Sequence, residues 1–375
     1  MNRAPHIAIL TPFLHHASGY GGITPWLVNL ANGFVEKGAR VDILVNAKQE
    51  TSLDYPPLDS KIRTINQGYH KVEAFRVLLN YLKSEQPTVL LTAGHRYNAM
   101  GAWARRLYKG DTKIFLSMHE NISAGSKNMS WLKRSLRFSG VRQLFPATDG
   151  VISVSQGVAD DLINIGLPER CCRVIYNPIV NHSLVEKSLA TVEHPWLQEK
   201  TQPVLISVGR LEKQKDYPTL LHALAIINRS RPCRLIILGE GRERNALSSL
   251  ADELGIQQQL DMPGHVHNPF SYMRASDLFV LSSAWEGFGN VLAEAMAVGT
   301  PVVSTDCPSG PSEILNGGEF GSLVAMKDAD ALASTICNTL DHPLPTATLE
   351  ARGHSFNVQS AVDQYWRYIL GEAAS

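Results

Sequence analysis

The stretch SSAWEGFGNVLAEAMAVGTP, residues 282–301, contains a predicted loop followed by a predicted helix. It follows an apolar run, 278–281, that is typical of a buried strand, and Gly287 and Gly289 indicate a loop. A helix is then predicted at 290–298, because Gly299 suits a left-handed helix cap and Pro301 cannot continue the helix. A strand, a glycine-containing loop and a helix in this order form the repeating unit of a parallel α/β sheet.

The same alternation covers the rest of the chain, which at 375 residues is long enough for two domains. In the first half, strands are predicted at 6–11, 41–45, 89–92, 113–118, 151–154 and 173–176, and helices at 23–36, 72–84, 97–108 and 156–165. In the second half, strands are predicted at 204–208, 235–238, 278–281 and 302–304, and helices at 218–227, 242–254, 290–298, 330–340 and 360–370. A polar interval near 181–202 separates the halves, so we expect an N-terminal domain at 1–182 and a C-terminal domain at 203–353. We expect the last segment, 354–375, to form a helix that packs back on the N-terminal domain.

The composition is that of a soluble globular protein, with 44% hydrophobic and 19% charged residues. The 35 basic and 35 acidic side chains cancel, so the net charge does not indicate a nucleic-acid partner. The five cysteines are scattered and lack C-x-x-C spacing, which suits a reducing cytoplasm. No apolar run is long enough for a signal core or a membrane span. We therefore expect a cytoplasmic protein that contacts the cytoplasmic face of the inner membrane only peripherally.

Two carboxylates flank the glycine loop of the opening stretch. Glu286 on the loop can accept hydrogen bonds from sugar hydroxyls, and Glu294, one turn into the helix, can accept them from the two hydroxyls of a ribose. Ligands of parallel sheets bind at the carboxyl ends of the strands, where a helix N-terminus favours phosphate. The loop is therefore predicted to cradle a pyrophosphate. A ligand with a sugar, a pyrophosphate and a ribose is a nucleotide-sugar donor. The residues of the loop and of the helix start that are predicted to contact it are Phe288, Gly289, Asn290 and Val291.

A second cluster, SVGRLEKQKD at 207–216, follows another predicted strand. Arg210 and Lys215 both fall on the loop before the next helix, so both can reach one phosphate, Arg as a planar fork and Lys as a point charge. Two such cations can neutralise the charge that builds on a leaving diphosphate. We therefore predict no metal site and no bound cofactor, the nucleotide sugar being a substrate.

Together these motifs resemble glycosyltransferase family 4, the retaining branch of the GT-B superfamily. The resemblance is strongest at 204–324 and includes the paired glutamates, the Gly-Arg-Leu…Lys cluster, LGEG at 238–241, PGHV at 263–266 and DCPSGPSEIL at 306–315. It implies a GT-B fold, in which two Rossmann-like domains face each other across a donor cleft. It also implies same-face attack on the sugar without an enzymic nucleophile, the leaving phosphate taking the proton of the acceptor.

The resemblance also implies the role of each site residue. Arg210 and Lys215 would bind the diphosphate, Glu286 the transferred sugar and Glu294 the ribose. The backbone near Val266 and His267 would frame the base. In the more loosely matched first half, the pair Gly21 and Gly22 would touch the diphosphate and His119 would lie beside the sugar.

Each of these assignments has a structural alternative. Glu286 and Glu294 can be ordinary surface carboxylates, and Arg210 and Lys215 solvated loop charges. Gly21 and Gly22 can simply make a tight turn before a helix. His119, at the end of an apolar strand, can be a structural histidine. The neighbouring side chains that could line the acceptor side are His15, His16, Glu120 and Asn121.

Two further motifs are interpreted as structural. Asp328-Ala329-Asp330 has the form used by metal-dependent transferases, but it lies where a late helix is predicted to begin, so we interpret it as a helix cap. Gly239-Glu240-Gly241 resembles the start of a dinucleotide fingerprint, but residue 244 is Arg instead of the third glycine. A bound nicotinamide cofactor is therefore not expected.

The segment 127–145 contains five basic residues and no acidic one, interleaved with apolar residues. A basic amphipathic helix of this kind can lie on an anionic membrane or hold a phosphorylated lipid acceptor. The alternative is a helix packed on the core with a solvated basic face. Its basic residues are Lys127, Lys133, Arg134, Arg137 and Arg142.

These observations favour a metal-independent retaining hexosyltransferase. The predicted reaction transfers a hexose or N-acetylhexosamine from a nucleotide-diphosphate sugar, with UDP as the expected nucleotide, to a saccharide or lipid-linked saccharide in cell-surface polysaccharide or glycolipid synthesis. A second hypothesis is a non-catalytic nucleotide-sugar binding subunit of a glycosylation complex. A third is an isomerase or epimerase on the same fold, for which the sequence offers no evident general base.

Overall fold

The computed structural model describes residues 4–12, 22–46, 57–68 and 70–371. The chain divides into two compact units. Unit 1 contains Gly22–Pro178, the residues of the first strand and the C-terminal stretch that starts at Val358, and unit 2 is Ile179–Asn357.

Unit 1 is built on a seven-stranded sheet in which every pair of neighbours is parallel, in the order β3-β2-β1-β4-β5-β6-β7. Its strands are β1 (His6–Leu10), β2 (Arg40–Val45), β3 (Arg63–Asn66), β4 (Val89–Ala93), β5 (Lys113–Met118), β6 (Gly150–Ser153) and β7 (Cys172–Val174). Its α-helices are α1 (Ile23–Glu36), α2 (Lys71–Glu85), α3 (His95–Leu107), α4 (Ile122–Gly125), α5 (Trp131–Gln143), α6 (Gln156–Ile165) and α16 (Val358–Leu370).

The C-terminal helix α16 is part of the core of unit 1. Its side chains Val362 and Tyr365 join a buried cluster with Trp26 of α1 and strand residues such as Ile7. A Cβ atom on Gly33 of α1 would lie 2.4 Å from Val362, so only glycine permits the two helices to approach this closely.

Unit 2 is built on a six-stranded parallel sheet in the order β10-β9-β8-β11-β12-β13. Its strands are β8 (Val204–Val208), β9 (Arg234–Leu238), β10 (Leu260–Gly264), β11 (Leu278–Leu281), β12 (Val302–Thr305) and β13 (Ser322–Val324). Its α-helices are α7 (His182–Ser188), α8 (Pro195–Gln198), α9 (Tyr217–Ile227), α10 (Arg244–Leu254), α11 (Pro269–Ala275), α12 (Asn290–Ala297), α13 (Pro311–Ile314), α14 (Ala329–Asp341) and α15 (Thr346–His354).

The parallel α/β architecture of both units confirms the predicted fold class. The strands that the sequence missed are β3, β10 and β13. Strand β3 is largely exposed, β10 contains Pro263, and β13 has three residues, so none presents a continuous apolar run. The interval expected as a linker belongs to unit 2 and contains α7 and α8.

Both predicted helix caps in unit 2 are confirmed. The side chain of Asp328 accepts a hydrogen bond of 2.9 Å from the amide of Ala331, so the Asp-x-Asp motif begins α14 as a cap. Gly299 follows the end of α12 in the left-handed region with φ of 83°.

Candidate functional site

The stretch 282–301 folds as predicted and lies at a change of direction in the unit 2 sheet. Strand β11 ends at Leu281, and α12 begins at Asn290 after the left-handed Gly289, whose φ is 97°. In the sheet β8 lies between β9 and β11, so the connections after β8 and β11 run to opposite sides. Ligands of open parallel sheets bind at such a point, outside the carboxyl ends of the strands.

The loops that follow β8 and β11 are joined to each other by hydrogen bonds. Ala284 donates its amide to the carbonyl of Gln214 at 2.8 Å, and the Gln214 side chain donates to the carbonyl of Trp285 at 2.9 Å. The hydroxyl of Ser282 donates to the carbonyl of Lys215 at 2.8 Å. The two motifs found separately in the sequence therefore form one structural element.

A third loop, after β12, covers the glycine loop. The amide of Glu286 donates to the carbonyl of Pro308 at 3.1 Å. A Cβ atom on Gly310, whose φ is 98°, would lie 1.8 Å from the carbonyl oxygen of Phe288. Glycine is required there, and this contact explains why the DCPSG segment accompanies the glutamate motif.

Glu286 is a buried carboxylate with two partners. Its Oε1 atom lies 2.6 Å from Nζ of Lys215 and accepts a hydrogen bond of 2.6 Å from the hydroxyl of Ser283. The Glu286 and Lys215 side chains are 8% and 14% exposed. A paired and hydrogen-bonded carboxylate at this depth is held in a defined position, which the surface-carboxylate alternative does not require.

Glu294 on α12 is half-buried, and no hydrogen bond joins its carboxylate to another described residue. Burial raises the pKa of Glu294 to about 7, although the nearby charge of Lys215 acts to lower it. Lys215 is thus close to both glutamates of the motif. The Glu294 carboxyl can accept hydrogen bonds from a ligand once it is ionised.

Arg210, on the loop after β8, is half-exposed and forms no ion pair with any residue that the structure describes. The first turn of α12 presents the amides of Asn290 and Val291 at the same edge of the sheet. A guanidinium and a helix N-terminus at one edge can both bind phosphate.

Three predicted donor contacts are placed as follows. The side chain of Phe288 is 2% exposed and packs on Phe356 at 5.4 Å between ring centroids, so only its backbone can meet a ligand. Val266 and His267 follow β10 at the carboxyl edge of the sheet, and the His267 side chain is exposed.

In unit 1, His119 directly follows β5. Its Nε2 atom lies 2.9 Å from the hydroxyl of Ser117, its ring packs edge-on against Trp26 at 4.7 Å, and its Nδ1 atom has no hydrogen-bond partner in the described part of the chain. Burial lowers the pKa of His119 to about 3, so the imidazole is neutral at physiological pH. Gly22 is exposed and precedes α1, one turn before Trp26.

The acceptor-side residues are placed in part. Of these, His15 and His16 lie outside the described residues, as does Gly21, which was predicted to touch the diphosphate. Glu120 is ion-paired with Arg137 of α5, and burial raises its pKa. Asn121 caps α4 by accepting a hydrogen bond of 2.8 Å from the amide of Ala124.

The basic segment forms α5, and its basic residues differ in environment. Lys133 and Arg134 are exposed, whereas the Arg137 side chain is only 6% exposed and also donates to Ser126 at 3.0 Å. Arg142 donates to the carbonyl of Ile165. The apolar residues of α5 that are most exposed are Trp131 (79%), Leu136 (66%) and Leu132 (55%).

The sequence analysis did not identify Ser283 as a site residue, although a serine three residues before Glu286 at the end of a strand was a possible signal.

A cluster of possible metal ligands in unit 1 was also not identified from the sequence. His6, Asp42 and Glu85 lie close enough together to ligate a metal ion. However, Arg63 binds both carboxylates, at 2.6 Å and 2.9 Å, and a guanidinium in that position repels a cation.

None of the helices described is long and apolar enough to cross a bilayer.

Two family models match this chain, one in each half of the sequence. Residues 192–352 match the family model for glycosyl transferases group 1, and residues 20–181 match the model for glycosyltransferase family 4.

Two relatives and one solved structure illustrate the similarity. An N-acetylgalactosamine-N,N'-diacetylbacillosaminyl-diphospho-undecaprenol 4-alpha-N-acetylgalactosaminyltransferase of Campylobacter jejuni is 31% identical over 61% of this chain and 62% of its own, less than two-thirds of its length. The lipopolysaccharide core biosynthesis glycosyltransferase LpsE of Rhizobium meliloti is 28% identical over 96% of both chains. The crystal structure of Anabaena Alr3699/HepE in complex with UDP-glucose has a TM-score of 0.75 and 18% identity, covering 96% of this chain and 98% of that one.

Proposed function

The chain belongs to the group 1 glycosyltransferases of the GT-B fold, and from this premise we propose that it is a retaining hexosyltransferase that uses a UDP-sugar. The sugar, a hexose or N-acetylhexosamine, is passed to a saccharide or lipid-linked saccharide in the synthesis of cell-surface polysaccharide or glycolipid. The observation that carries the proposal is the buried Glu286, held by Lys215 and Ser283 beside the N-terminus of α12.

The donor is proposed to bind along the carboxyl edge of the unit 2 sheet. Arg210, Lys215 and the amides at the start of α12 bind the diphosphate, because all three present positive charge. Glu294 accepts hydrogen bonds from the ribose hydroxyls, and the backbone near Val266 and His267 frames the base. Glu286 accepts hydrogen bonds from hydroxyls of the transferred sugar and so fixes the orientation of that ring.

Catalysis in this proposal depends on stabilising the leaving diphosphate. Negative charge grows on that group as the glycosidic bond breaks, and Arg210 and Lys215 neutralise it in a partly buried site. The leaving phosphate oxygen takes the proton of the attacking hydroxyl, which approaches from the same face of the sugar. Glu286 orients the sugar and is neither nucleophile nor base, and the two cations supply the charge that a metal ion supplies in other transferases.

The choice of donor and acceptor is supported by the proteins to which this chain is similar. A structural neighbour was solved with UDP-glucose, one relative acts on a diphospho-undecaprenol saccharide, and another acts in lipopolysaccharide core synthesis. These names favour a UDP-sugar donor and a lipid-linked or lipopolysaccharide acceptor for this chain.

Membrane contact through 127–145 is part of the proposal, and the exposed side chains of α5 support it. Trp131, Leu132 and Leu136 are exposed beside Lys133 and Arg134. Apolar side chains flanked by cations suit an anionic lipid surface. We propose that α5 docks on anionic lipid at the cytoplasmic face of the membrane, where a lipid-linked acceptor is present.

The first test is calorimetric titration of the full chain with UDP, GDP and ADP, each with and without EDTA, followed by turnover assays with the matching nucleotide sugars. Binding of UDP that EDTA leaves unchanged, followed by transfer with retained anomeric configuration, is expected. Binding without any turnover would favour a nucleotide-sugar binding subunit instead. Loss of binding in EDTA would contradict metal independence, and inverted product would contradict the retaining mechanism.

A further inference from the structure

A chain of hydrogen-bonding groups in unit 1 connects His119 to the C-terminal helix. The indole Nε1 of Trp26 donates to the hydroxyl oxygen of Tyr365 at 3.0 Å. That hydroxyl lies 3.4 Å from the hydroxyl of Ser117, which lies 2.9 Å from Nε2 of His119. Trp26, Ser117 and Tyr365 are each 0% exposed, so water does not compete for these groups.

The direction of each hydrogen bond follows from the groups available. An indole N–H can only donate, so the Tyr365 oxygen accepts from Trp26. Among the described residues, the acceptor within hydrogen-bond distance of the Tyr365 hydrogen is then the oxygen of Ser117. The Ser117 hydrogen is left to donate to Nε2 of His119. In the reverse direction Ser117 donates to Tyr365, and the buried Tyr365 hydrogen has no acceptor in the part of the chain that the structure describes, which is costly.

This order fixes the tautomer of the imidazole. A neutral imidazole carries one proton, and a ring nitrogen that accepts a hydrogen bond cannot hold it. Burial lowers the pKa of His119 to about 3, so the ring is neutral. With Nε2 accepting from Ser117, the proton is on Nδ1, the atom that has no partner among the residues the structure describes.

We propose that Trp26, Tyr365 and Ser117 are positioning residues that hold His119 with its proton on Nδ1, as a hydrogen-bond donor to an oxygen of the bound sugar. The identity of the ligand rests on the proposed function; the tautomer does not. A neutral donor suits a sugar hydroxyl, because it fixes the orientation of the ring without adding a charge to the site. Helix α16 packs against α1 and thereby brings Tyr365, which lies 246 positions after His119 in the chain, into the hydrogen-bonded chain that reaches His119.

The tautomer is measured by NMR on the full chain labelled with ¹⁵N-histidine, since protonated and unprotonated ring nitrogens resonate far apart. The chain has 13 histidines, so the His119 signal is assigned from its loss in His119→Gln. The expected result is a protonated Nδ1 and an unprotonated Nε2 in the wild type. In Ser117→Ala and in Tyr365→Phe the preference should be lost, giving mixed or reversed protonation.

Matched controls separate this effect from general loosening of the fold. Ser153→Ala removes a buried hydroxyl from the neighbouring strand β6, and Tyr368→Phe removes a hydroxyl from the same helix α16. No hydrogen bond joins either side chain to His119 within the described residues, so both variants should keep the wild-type tautomer. A wild type protonated on Nε2, or tautomer loss in the controls equal to that in Ser117→Ala, overturns the proposal.

The ligand is tested by adding UDP or a UDP-sugar that the enzyme turns over. The UDP-sugar is expected to shift the His119 Nδ1–H signal, and UDP alone is expected to leave it in place. Tyr365→Phe should then lower kcat/KM about tenfold or more for the loss of one oriented hydrogen bond, with Tyr368→Phe unchanged. If the His119 signal does not shift in a protein that still turns over the donor, this role for His119 is refuted and the proposed function stands. If there is no turnover, the proposed function is refuted.

Discussion

Nζ of Lys215 lies 2.6 Å from Oε1 of Glu286, so the cation proposed to bind the diphosphate also holds the carboxylate proposed to bind the sugar. The two residues are 71 positions apart and come from loops that follow neighbouring strands. The residue proposed to bind the leaving group is therefore coupled to the residue proposed to bind the transferred ring. Substitution of either one is expected to disturb both ends of the donor.

The first prediction concerns Glu286→Gln. This change keeps the size of the side chain but removes the charge that orients the sugar, so we expect kcat to fall by about 10²–10³, as for other preorganised polar groups in active sites. Steady-state assays at saturating donor measure it. The exposed Glu319→Gln in the same unit is the matched control and should retain activity. A kcat near that of the wild type would show that Glu286 does not act on the sugar.

The second prediction separates stability from catalysis in the same pair. Lys215→Met leaves Glu286 buried without its cation, which should lower the free energy of unfolding by roughly 3–5 kcal/mol in urea denaturation. In the double variant Lys215→Met/Glu286→Gln no uncompensated charge remains, so much of this stability should return while activity stays lost. Equal stability of the single and double variants would mean that the pair is not coupled in the fold.

The parts of the structure that depend on residues close together in the sequence could be predicted from it. The apolar runs identified the inner strands such as β8 and β11, and the order of strand, loop and helix placed Glu286 at a strand end. The contact between Lys215 and Glu286 could only be expected in outline, because it depends on the neighbouring positions of β8 and β11 in the sheet.

Features set by distant residues could not be predicted. All five basic residues of 127–145 looked alike in the sequence, yet Arg137 is buried because Glu120, outside that segment, pairs with it. The connection from His119 to Tyr365 likewise depends on where α16 packs. The edge strand β3 was missed because solvent on its exposed positions requires no apolar side chains.

The third prediction concerns Asp42, which is fully buried and accepts hydrogen bonds from His6, Arg63 and Tyr81. Burial alone would raise the pKa of Asp42, but these hydrogen bonds together hold it well below its ordinary value. Asp42→Asn should therefore lower the free energy of unfolding by roughly 1–3 kcal/mol at neutral pH, because a charged hydrogen-bond acceptor is lost while Arg63 keeps its pairing with Glu85. The exposed Asp111→Asn should have little effect.

The pH dependence of this effect has a definite sign. A lowered carboxyl pKa contributes stability that is present above the unfolded value of 3.8 and is lost as pH falls towards the folded pKa. The difference between wild type and Asp42→Asn should therefore shrink below that pH in urea titrations. A difference that stays constant in acid would show that the charge of Asp42 is not its source.

The fourth prediction tests membrane docking of α5. Lys133→Glu/Arg134→Glu should weaken binding to anionic vesicles at least about tenfold, since each cation near such a surface contributes about 1 kcal/mol. Arg137 is left intact because its side chain is buried in the ion pair with Glu120. Lys71→Glu/Arg76→Glu, an exposed pair on α2, carries the same charge change as a control. Equal loss in both variants, or a wild type that does not sediment with anionic vesicles, would rule out α5 as the docking surface.

The fifth prediction concerns the pH dependence of donor binding through Glu294, whose pKa burial raises to about 7. In the proposed donor site, ribose hydroxyls donate to the ionised carboxylate, so we expect binding to require that Glu294 loses its proton. Below its pKa, affinity for the UDP-sugar should fall by up to about tenfold for each pH unit, and above it affinity should level off. Calorimetry with the UDP-sugar is preferred to UDP, because a terminal phosphate titrates in the same range.

Glu294→Gln should change affinity and stability in opposite directions. The variant binds donor more weakly and without this pH dependence, since glutamine does not titrate. Because the folded pKa of Glu294 lies above the unfolded value of 4.5, the wild type loses stability as pH rises from 4.5 to about 7. Removing the buried charge should therefore make the variant the more stable protein above that range and leave the two alike in acid. A Gln variant that keeps the wild-type pH profile of donor affinity would place the titrating group elsewhere.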